Sequence, residues 1–541
     1  MGNGGRYLEQ WEAMCREIEA QSLPVNFIEV IERAADLYGD RLALHFIDDD
    51  DSVTYQELKN RVFTLASGFR KAGIEQGTHV ALLVPNRIEF PLAWLALACL
   101  GAVMVPTNTS YTANEIDYLY NDADVSFLIV DRDLLSTFLA MEKRPAALAD
   151  EHVFVIDGDD RRFPALTTIA DSGDPAFTPR RDVSPDTLLN IQYTSGTTGF
   201  PKGCMQTQRY WIVLGTTAGA IAPDVRSILT DHPYFYMDPQ WELIWGLLSG
   251  ASVYAVGGMS TTKFWDRVRK YDIEWAWFPN PILKHPQKPG DGDNTIRMFA
   301  AGAISSTAIR EAEKRFNAPV RSAYGMTEIG AGTWVPEQIP DDEILDTVGL
   351  RAPFRELRIV DENGDDVPDG TPGELIARGD GLFEGYYKKA EANKESFYDD
   401  WFRTGDMFVR TPNGYYKIIG RFKDMIRRSA ENISAMEVEH VIREIEAVAE
   451  AAAVPVPDDY RGEEVKIYVR LKPGFRQDDC PPSDIIGHCR KRLAPFKVPR
   501  YVGYVEEMPY TPSNKVAKHE MIAGIDDLRS DAWDDLDQRW R

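Results

Sequence analysis

The chain has 541 residues, 44% of them hydrophobic and 11% aromatic, a globular composition too long for one ordinary core, so at least two domains are expected. A formal charge of −25 argues against nucleic acid as a partner and against docking on anionic membranes, while leaving small anionic ligands to local charge. Five cysteines (Cys15, Cys99, Cys204, Cys480, Cys489) show no CxxC pair or metal-like spacing and read as reduced thiols of a cytoplasmic protein.

The opening Met1-Gly2-Asn3-Gly4-Gly5-Arg6 has no apolar leader pattern, and Arg6 stands where myristoylation favours Ser or Thr. Residues 7–40 read as helical, with Phe27, Val30, Ile31 and Ala34 at helical spacing. Strand-like Val80–Val84, a helix from Ile88, and strands at Ala102–Pro106 and Val125–Val130 follow in alternation. The longest apolar run, Pro91 to Pro106, is too short for a membrane span and reads as a buried helix entering a strand. The rhythm resumes with Leu188–Tyr193, then near Ser227, at Ser252–Val256 and at Trp275–Phe278. Such alternation predicts an α/β fold with parallel-rich sheets and helices on both faces. Residues 285–293 and 361–373 read as turns, and the Asp-x-Asp of the first lacks the remaining ligands of a calcium loop. After Gly420 the pattern changes to a smaller α+β unit, with a helix over 435–449, a strand near Val465–Leu471 and a helix over 483–493. Residues 526–541, acidic and Trp-containing, read as a docked helix or a mobile tail. The expected division is 1–420 and 421–541.

Four stretches carry chemistry. Tyr193-Thr194-Ser195-Gly196-Thr197-Thr198-Gly199-Phe200-Pro201-Lys202-Gly203 concentrates hydroxyls, glycines and a lysine after an apolar strand. Glycines let a backbone approach phosphate oxygens, hydroxyls and amides donate to them, and Lys202 adds a positive charge. It is not a Walker A loop, because Pro201 stands where the second glycine of that motif belongs. A polar surface loop is the plain alternative. In Tyr324-Gly325-Met326-Thr327-Glu328 a carboxylate follows a hydroxyl at the end of a strand, which suits Mg²⁺ on a nucleotide, although a capped helix start explains the pattern equally well. The third stretch is Thr404-Gly405-Asp406 with Gly420-Arg421-Phe422-Lys423-Asp424, and the fourth is Pro509 to Lys518.

In this order and at this spacing, the stretches resemble the adenylate-forming superfamily of acyl-CoA synthetases, peptide-synthetase adenylation domains and luciferases, over nearly the whole chain. The resemblance implies a large N-terminal domain and a smaller, mobile α+β C-terminal domain. Thr194, Ser195, Gly196, Thr197, Thr198, Gly199 and Lys202 match its phosphate-binding loop. Tyr324 matches an adenine neighbour, Gly302 of Ala301-Gly302-Ala303 the segment lining the adenine and acyl pocket, Thr327 an α-phosphate contact and Glu328 the Mg²⁺ ligand. Asp406 and Arg421 match the ribose ligands, Lys423 the hinge, and Lys515 the catalytic lysine, with Asn514 in place of the usual preceding glycine. Ser429, Ala430 and Glu431 match the loop of the pantetheine tunnel, where Ala430 replaces a glycine. The implied reaction is ATP- and Mg²⁺-dependent activation of a small carboxylic acid as its adenylate, followed by transfer to coenzyme A. Lys202, Thr327, Glu328 and Lys515 would stabilise the crowded phosphorus centre. No nucleic acid and no membrane span are expected, and a homodimer is left open. Loading of a carrier protein, a nucleotide-binding pseudoenzyme and a luciferase-like oxygenase are the alternatives.

For the acid itself the resemblance says less. Tyr236 takes the family's aromatic or His position in Pro233-Tyr234-Phe235-Tyr236-Met237-Asp238-Pro239-Gln240-Trp241, and Asp238, Trp241, Gly302, Met326 and Gly330 complete the expected acyl pocket. Aromatic faces attract cations and a carboxylate adds to that, while repelling the far end of a dicarboxylate. These residues point to a compact acid with a quaternary ammonium or sulfonium group, as in betaine- or carnitine-like compounds. An uncharged short-chain or aromatic acid is the competing expectation, with Asp238 pairing to an Arg or capping a turn.

Overall fold

The computed structural model describes the chain except residues 1–2, 159–161, 180–181, 195–200, 303, 340–341, 422–424, 429–430, 459–460, 494 and 511–514, and except the side chains of 3–6, 421, 425, 427 and 431–432. Its internal contacts divide into two units, residues 1–357, 377–402 and 413–416 in one and 358–376, 403–412 and 417–541 in the other.

The first unit is α/β. One sheet runs in the order Val153–Ile156, Phe127–Asp131, His79–Leu83, Val103–Pro106, Leu188–Thr194, Lys202–Thr207, parallel except for the last pair. The other has a parallel centre in the order Val320–Met326, Met298–Ala301, Trp275–Trp277, Ser227–Thr230, Ser252–Ala255, Leu42–Phe46, with antiparallel strands at both edges. Short strands buried on both faces alternate with helices, as parallel crossovers require. The Glu89–Leu100 helix is apolar on every face and buried at ten of its twelve positions, so the longest apolar run is core. No described helix is long and apolar enough to cross a membrane. The helical stretch expected over 7–40 is two helices, Asn3–Glu19 and Phe27–Tyr38. Pro24 and the N-cap Asn26, whose Oδ1 accepts the Glu29 N–H at 3.0 Å, separate them.

A buried polar relay ties one sheet to the helix Met237–Ser249. Trp94 Nε1 donates to Asn190 Oδ1 (2.9 Å), Asn190 Nδ2 to Gln240 Oε1 (2.8 Å), and Gln240 Nε2 to the Tyr234 carbonyl (2.8 Å). From the same strand face Gln192 Nε2 reaches the Phe235 carbonyl at 2.7 Å. Asn190 and Gln240 are fully buried, so these bonds are conditions for burying them at all.

The second unit is α+β. The strand Gly462–Leu471 pairs with Val448–Asp458 along its length and with Tyr501–Tyr504 on its other side, and the helices Ala435–Arg443 and Pro482–Arg490 share one apolar core with this sheet. The helix expected over 435–449 stops at Arg443, capped at its start by Ser434, and the Ala-rich stretch after it becomes the strand from Val448. Pairing along a ten-residue neighbour outweighs alanine's helical preference there. Residues 526–541 are neither docked helix nor tail. Trp533–Asp534 and Arg539–Trp540 form a small hairpin on the sheet edge, pinned by Arg500 and Arg541 on the buried Asp534 carboxylate. Lys466 Nζ donates to the carbonyls of Leu528 and Ser530, both at 2.9 Å, and secures the approach to the hairpin.

Candidate active site

Strands Leu188–Thr194 and Lys202–Thr207 pair with Thr194 opposite Lys202, so both stand at the mouth of the hydroxyl- and glycine-rich stretch. Ser195, Gly196, Thr197, Thr198 and Gly199 lie outside the described residues. A distant segment lines the outer side of the Lys202 strand: the Met205 N–H donates to the Gly385 carbonyl (2.9 Å) and the Tyr387 N–H to the Gly203 carbonyl (2.8 Å). This pairing delivers Tyr386. Its ring centroid is 4.7 Å from Lys202 Nζ, and its phenol donates to Glu328 Oε1 at 2.8 Å. Burial, reinforced by the Glu328 carboxylate, pushes the Tyr386 phenol far above its ordinary value, so it remains a donor. The two motif residues Lys202 and Glu328 thus meet at a tyrosine that lies in none of the four stretches.

The second motif is a β-hairpin and not a helix start. Tyr324 and Met326 belong to the strand Val320–Met326, Thr327-Glu328-Ile329 turn, and Gly330 begins the antiparallel return. Gly330 has φ 64°, and a Cβ on Gly325 would stand 2.5 Å from the Gly330 carbonyl oxygen, so the tight turn needs glycine at both places. The Thr327 carbonyl accepts from Gln206 Nε2 and Tyr210 Oη, both at 2.9 Å. Arg355, only 2% exposed, donates to the carbonyls of Ile329 (2.8 Å), Phe354 (2.9 Å), Asp380 (2.6 Å) and Gly381 (3.2 Å). Burial lowers its guanidinium to about 10, which leaves it charged at neutral pH. Gly302 follows the strand Met298–Ala301, is exposed, and has no heavy atom within 4 Å of where a Cβ would be.

On the acyl side, Asp238 lies in the first turn of the Met237–Ser249 helix and accepts from Trp241 Nε1 at 3.4 Å. Trp241 packs with Trp245, Trp275 and Trp277. His232 pairs with Asp231 at 3.0 Å and stands edge-on to Trp277, ring centroids 6.0 Å apart. Burial raises the Asp238 carboxyl, against the opposing pull of His232 and Trp241. Burial works against a charged His232, but Asp231 and Asp238 together raise it. Tyr236 is half-buried and receives Asn108 Nδ2 at 3.4 Å. Asp238 and Trp241 therefore touch. Met326 instead has its Sδ 3.5 Å from the Tyr324 phenol, and Gly330 faces Arg355, Leu214 and Tyr210. Tyr234 is fully buried against Phe46 and Phe90 and belongs to the core.

In the second unit, Asp406 is 4% exposed on the strand Trp401–Arg410, its N–H donating to Thr404 Oγ1 at 3.1 Å. Beside it Arg403 pairs with Glu374, whose other oxygen accepts the Gly405 N–H at 3.2 Å. Asp406 thus falls within the second unit, although it precedes residue 420. Arg421 ends the strand Tyr416–Arg421 and its side chain is undescribed. Lys423, Ser429 and Ala430 lie outside the described residues, and Glu431, opposite Arg428 in the Met425–Arg428 and Glu431–Ser434 pair, has an undescribed side chain. Lys515 is exposed beside a single bridge between Tyr510 and Val516, with the Ala517 N–H on the Pro509 carbonyl at 2.8 Å.

A lysine ammonium, a threonine and one buried carboxylate around a hairpin mouth suit phosphate oxygens and a hard cation, since Mg²⁺ takes one or two carboxylates together with phosphates. The sequence matches the AMP-binding enzyme family over residues 31–387 and the AMP-binding enzyme C-terminal domain over residues 437–515. It is 30% identical to oxalate–CoA ligase of Arabidopsis thaliana, covering 90% of this chain and 96% of that protein. It is 29% identical to sulfoacetate–CoA ligase of Cupriavidus necator, covering 88% and 93%. Among solved structures, ATP-bound MatB from Rhodopseudomonas palustris superposes with a TM-score of 0.81 at 25% identity, covering 92% of this chain and 98% of that one. The chain belongs to the AMP-binding enzyme family, within the adenylate-forming enzymes. It is an AMP-forming acid–thiol ligase.

Proposed function

We propose that the chain is an ATP-dependent carboxylic acid:CoA ligase acting through an acyl-adenylate, on a compact acid with a betaine- or carnitine-like cationic end. The observation that carries the ligase reading is the meeting of Lys202 and Glu328 at Tyr386, in a chain of the AMP-binding family. In this reading the substrate carboxylate attacks the α-phosphorus and pyrophosphate leaves. The CoA thiol then attacks the mixed anhydride and AMP leaves. Lys202 and the Thr327 hydroxyl face the phosphates, Lys515 neutralises charge that develops as the adenylate forms, and Asp406 and Arg421 take the ribose hydroxyls. Glu328 would hold Mg²⁺, which supplies charge neutralisation on the phosphates when bound. The chain then divides near residue 420, with 421–541 a mobile domain pivoting at Lys423 and Ser429, Ala430 and Glu431 at the pantetheine passage. Five cysteines, all free and buried, support a cytoplasmic location.

Support for the cationic end comes from Asp238, which lies against an indole near Asp231 and the Trp241–Trp277 cluster. A second anionic group, as in oxalate or sulfoacetate, would face those carboxylates. The test is pyrophosphate release over a panel of acids, with and without CoA. Compact cationic acids should release pyrophosphate and, with CoA, form thioesters. Release from no acid refutes the ligase reading, and adenylate that CoA does not consume refutes CoA as the acceptor.

A further inference from the structure

The Met237–Ser249 helix carries a second carboxylate that the reaction described above leaves without a task. Glu242 is fully buried one turn beyond Asp238, and neither of its carboxylate oxygens has a hydrogen-bond partner. Thr230 Oγ1 and Trp277 Nε1 lie close enough to favour its ionised form without closing a hydrogen bond of ordinary geometry, and Tyr234 Oη beside it is unpartnered. Thr230 and Trp277 end adjacent parallel strands, Ser227–Thr230 and Trp275–Trp277. In open α/β sheets, ligands bind outside the carboxyl ends of the strands. Buried polar atoms are nearly always paired, so a carboxyl whose three neighbouring donors all fail to close a hydrogen bond marks a place built for something else.

The idle set is unbalanced in an informative way. Thr230, Tyr234 and Trp277 are all donors, and donors stabilise a carboxylate in its ionised form. What opposes ionisation is burial, with Asp238 and Asp231 adding like charge, and together these raise the Glu242 carboxyl well above its ordinary value. His232, whose charged form Asp231 and Asp238 favour, is already engaged by Asp231. The ionised state of Glu242 therefore has its donors waiting and lacks a positive partner.

Resting on the ligase reading of this pocket, we infer that Glu242 is a specificity-determining residue that serves as counter-charge to an ammonium or sulfonium end of the substrate acid. Without a ligand, burial favours the neutral acid form of Glu242. As the cation enters, the Glu242 O–H bond breaks, its proton goes to solvent, and the carboxylate left behind faces the bound positive charge. Uncharged acids enter without this exchange.

The experiment uses the full-length enzyme with trimethylammonio-acetate, -propanoate and -butanoate, each against its tert-butyl isostere, in pyrophosphate release from pH 6 to 8. For the cationic acids, kcat/KM relative to the isostere should rise with pH, approaching about tenfold per pH unit while Glu242 is neutral in the free enzyme. His232, Asp231, Asp238 and Tyr234 face the same space, so Glu242→Gln isolates the share of Glu242. That variant should lower the cation preference about 10- to 100-fold and remove most of the slope. Titration calorimetry of the wild type in two buffers of different ionisation enthalpy reads the released proton directly and needs no variant to fold. Isosteres activated as well as the cations, with a flat ratio, overturn the role of Glu242 and leave the ligase reading standing. No pyrophosphate from any acid overturns both.

Discussion

Tyr386 offers the sharpest test of the site, because one atom can be removed from it. Tyr386→Phe deletes the hydroxyl that reaches Glu328 Oε1 at 2.8 Å and keeps the ring 4.7 Å from Lys202 Nζ. Both Tyr386 and Glu328 are 6% exposed, so water replaces the lost donor poorly. A buried hydrogen bond to a charged group contributes about 1.5–3 kcal/mol, which corresponds to about a 10- to 150-fold loss in kcat/KM for ATP if the bond persists in the transition state. Tyr386→Ala should lose more, by the ~0.5–2 kcal/mol of a cation over an aromatic face. The assay is pyrophosphate release at saturating acid with ATP and Mg²⁺ varied independently. A mispositioned Glu328 should raise the Mg²⁺ requirement as well as lower the rate. A double-mutant cycle with Glu328→Gln should show coupling of about 1 kcal/mol or more, as for residues in contact. Tyr386→Phe within twofold of wild type, or losses that simply add with Glu328→Gln, would refute the claim that Tyr386 positions Glu328.

Three other outcomes are expected. Lys515→Ala should cost about 10²–10³-fold in adenylation and leave thioester formation from supplied acyl-adenylate largely intact, and equal losses in both half-reactions would remove Lys515 from its assigned role. Arg355→Met leaves the carbonyls of Ile329, Asp380 and Gly381 without their donor in the interior, so the denaturation midpoint should fall by the equivalent of about 3–5 kcal/mol, with a change under 1 kcal/mol counting against it. Burial raises the Glu242 carboxyl, so above its ordinary value of 4.5 the unfolded chain releases a proton more readily than the folded one. Its contribution to stability is full below that pH and declines as pH rises toward the raised folded value. Without ligand, Glu242→Gln should therefore gain on wild type by up to about 1.4 kcal/mol per pH unit, and a stability difference that does not move with pH would contradict this.

What could be read from sequence was whatever is local. The hydroxyl–glycine–lysine stretch, the Thr327-Glu328 pair at a strand end and the alternation of short apolar strands with helices each declare themselves within a dozen residues, although the hairpin that carries Glu328 does not. Partners supplied from far along the chain do not. Tyr386 reaches Glu328 only because residues 384–387 pair with the Lys202 strand, and nothing near Tyr386 announces that pairing. Glu242 reads as one more helix-surface acid until its helix is seen buried. Asn190 and Gln192 did leave a signal, as polar residues two apart in an otherwise apolar strand, the spacing that puts both on one face. The stretch after Arg443 is a strand where its sequence suggests a helix because alanine runs follow their partners, and here the partner is a strand.

The relay from Trp94 through Asn190 and Gln240 to the Tyr234 carbonyl bears on how selectivity could be re-engineered. The Pro233–Ser249 segment looks like a portable cassette, since it holds Tyr236, Asp238, Trp241 and Glu242 within ten residues. Its Phe235 carbonyl, however, hangs from Gln192, and Asn190 holds the Gln240 side chain that grips the Tyr234 carbonyl. A graft of that segment from a relative would arrive without its suspension unless the residues at 190 and 192 travelled with it. If the proposed acyl pocket sets acid choice, its unit is two pieces of chain nearly fifty residues apart, and libraries that vary only one of them would sample mostly proteins whose pocket is hung at the wrong height.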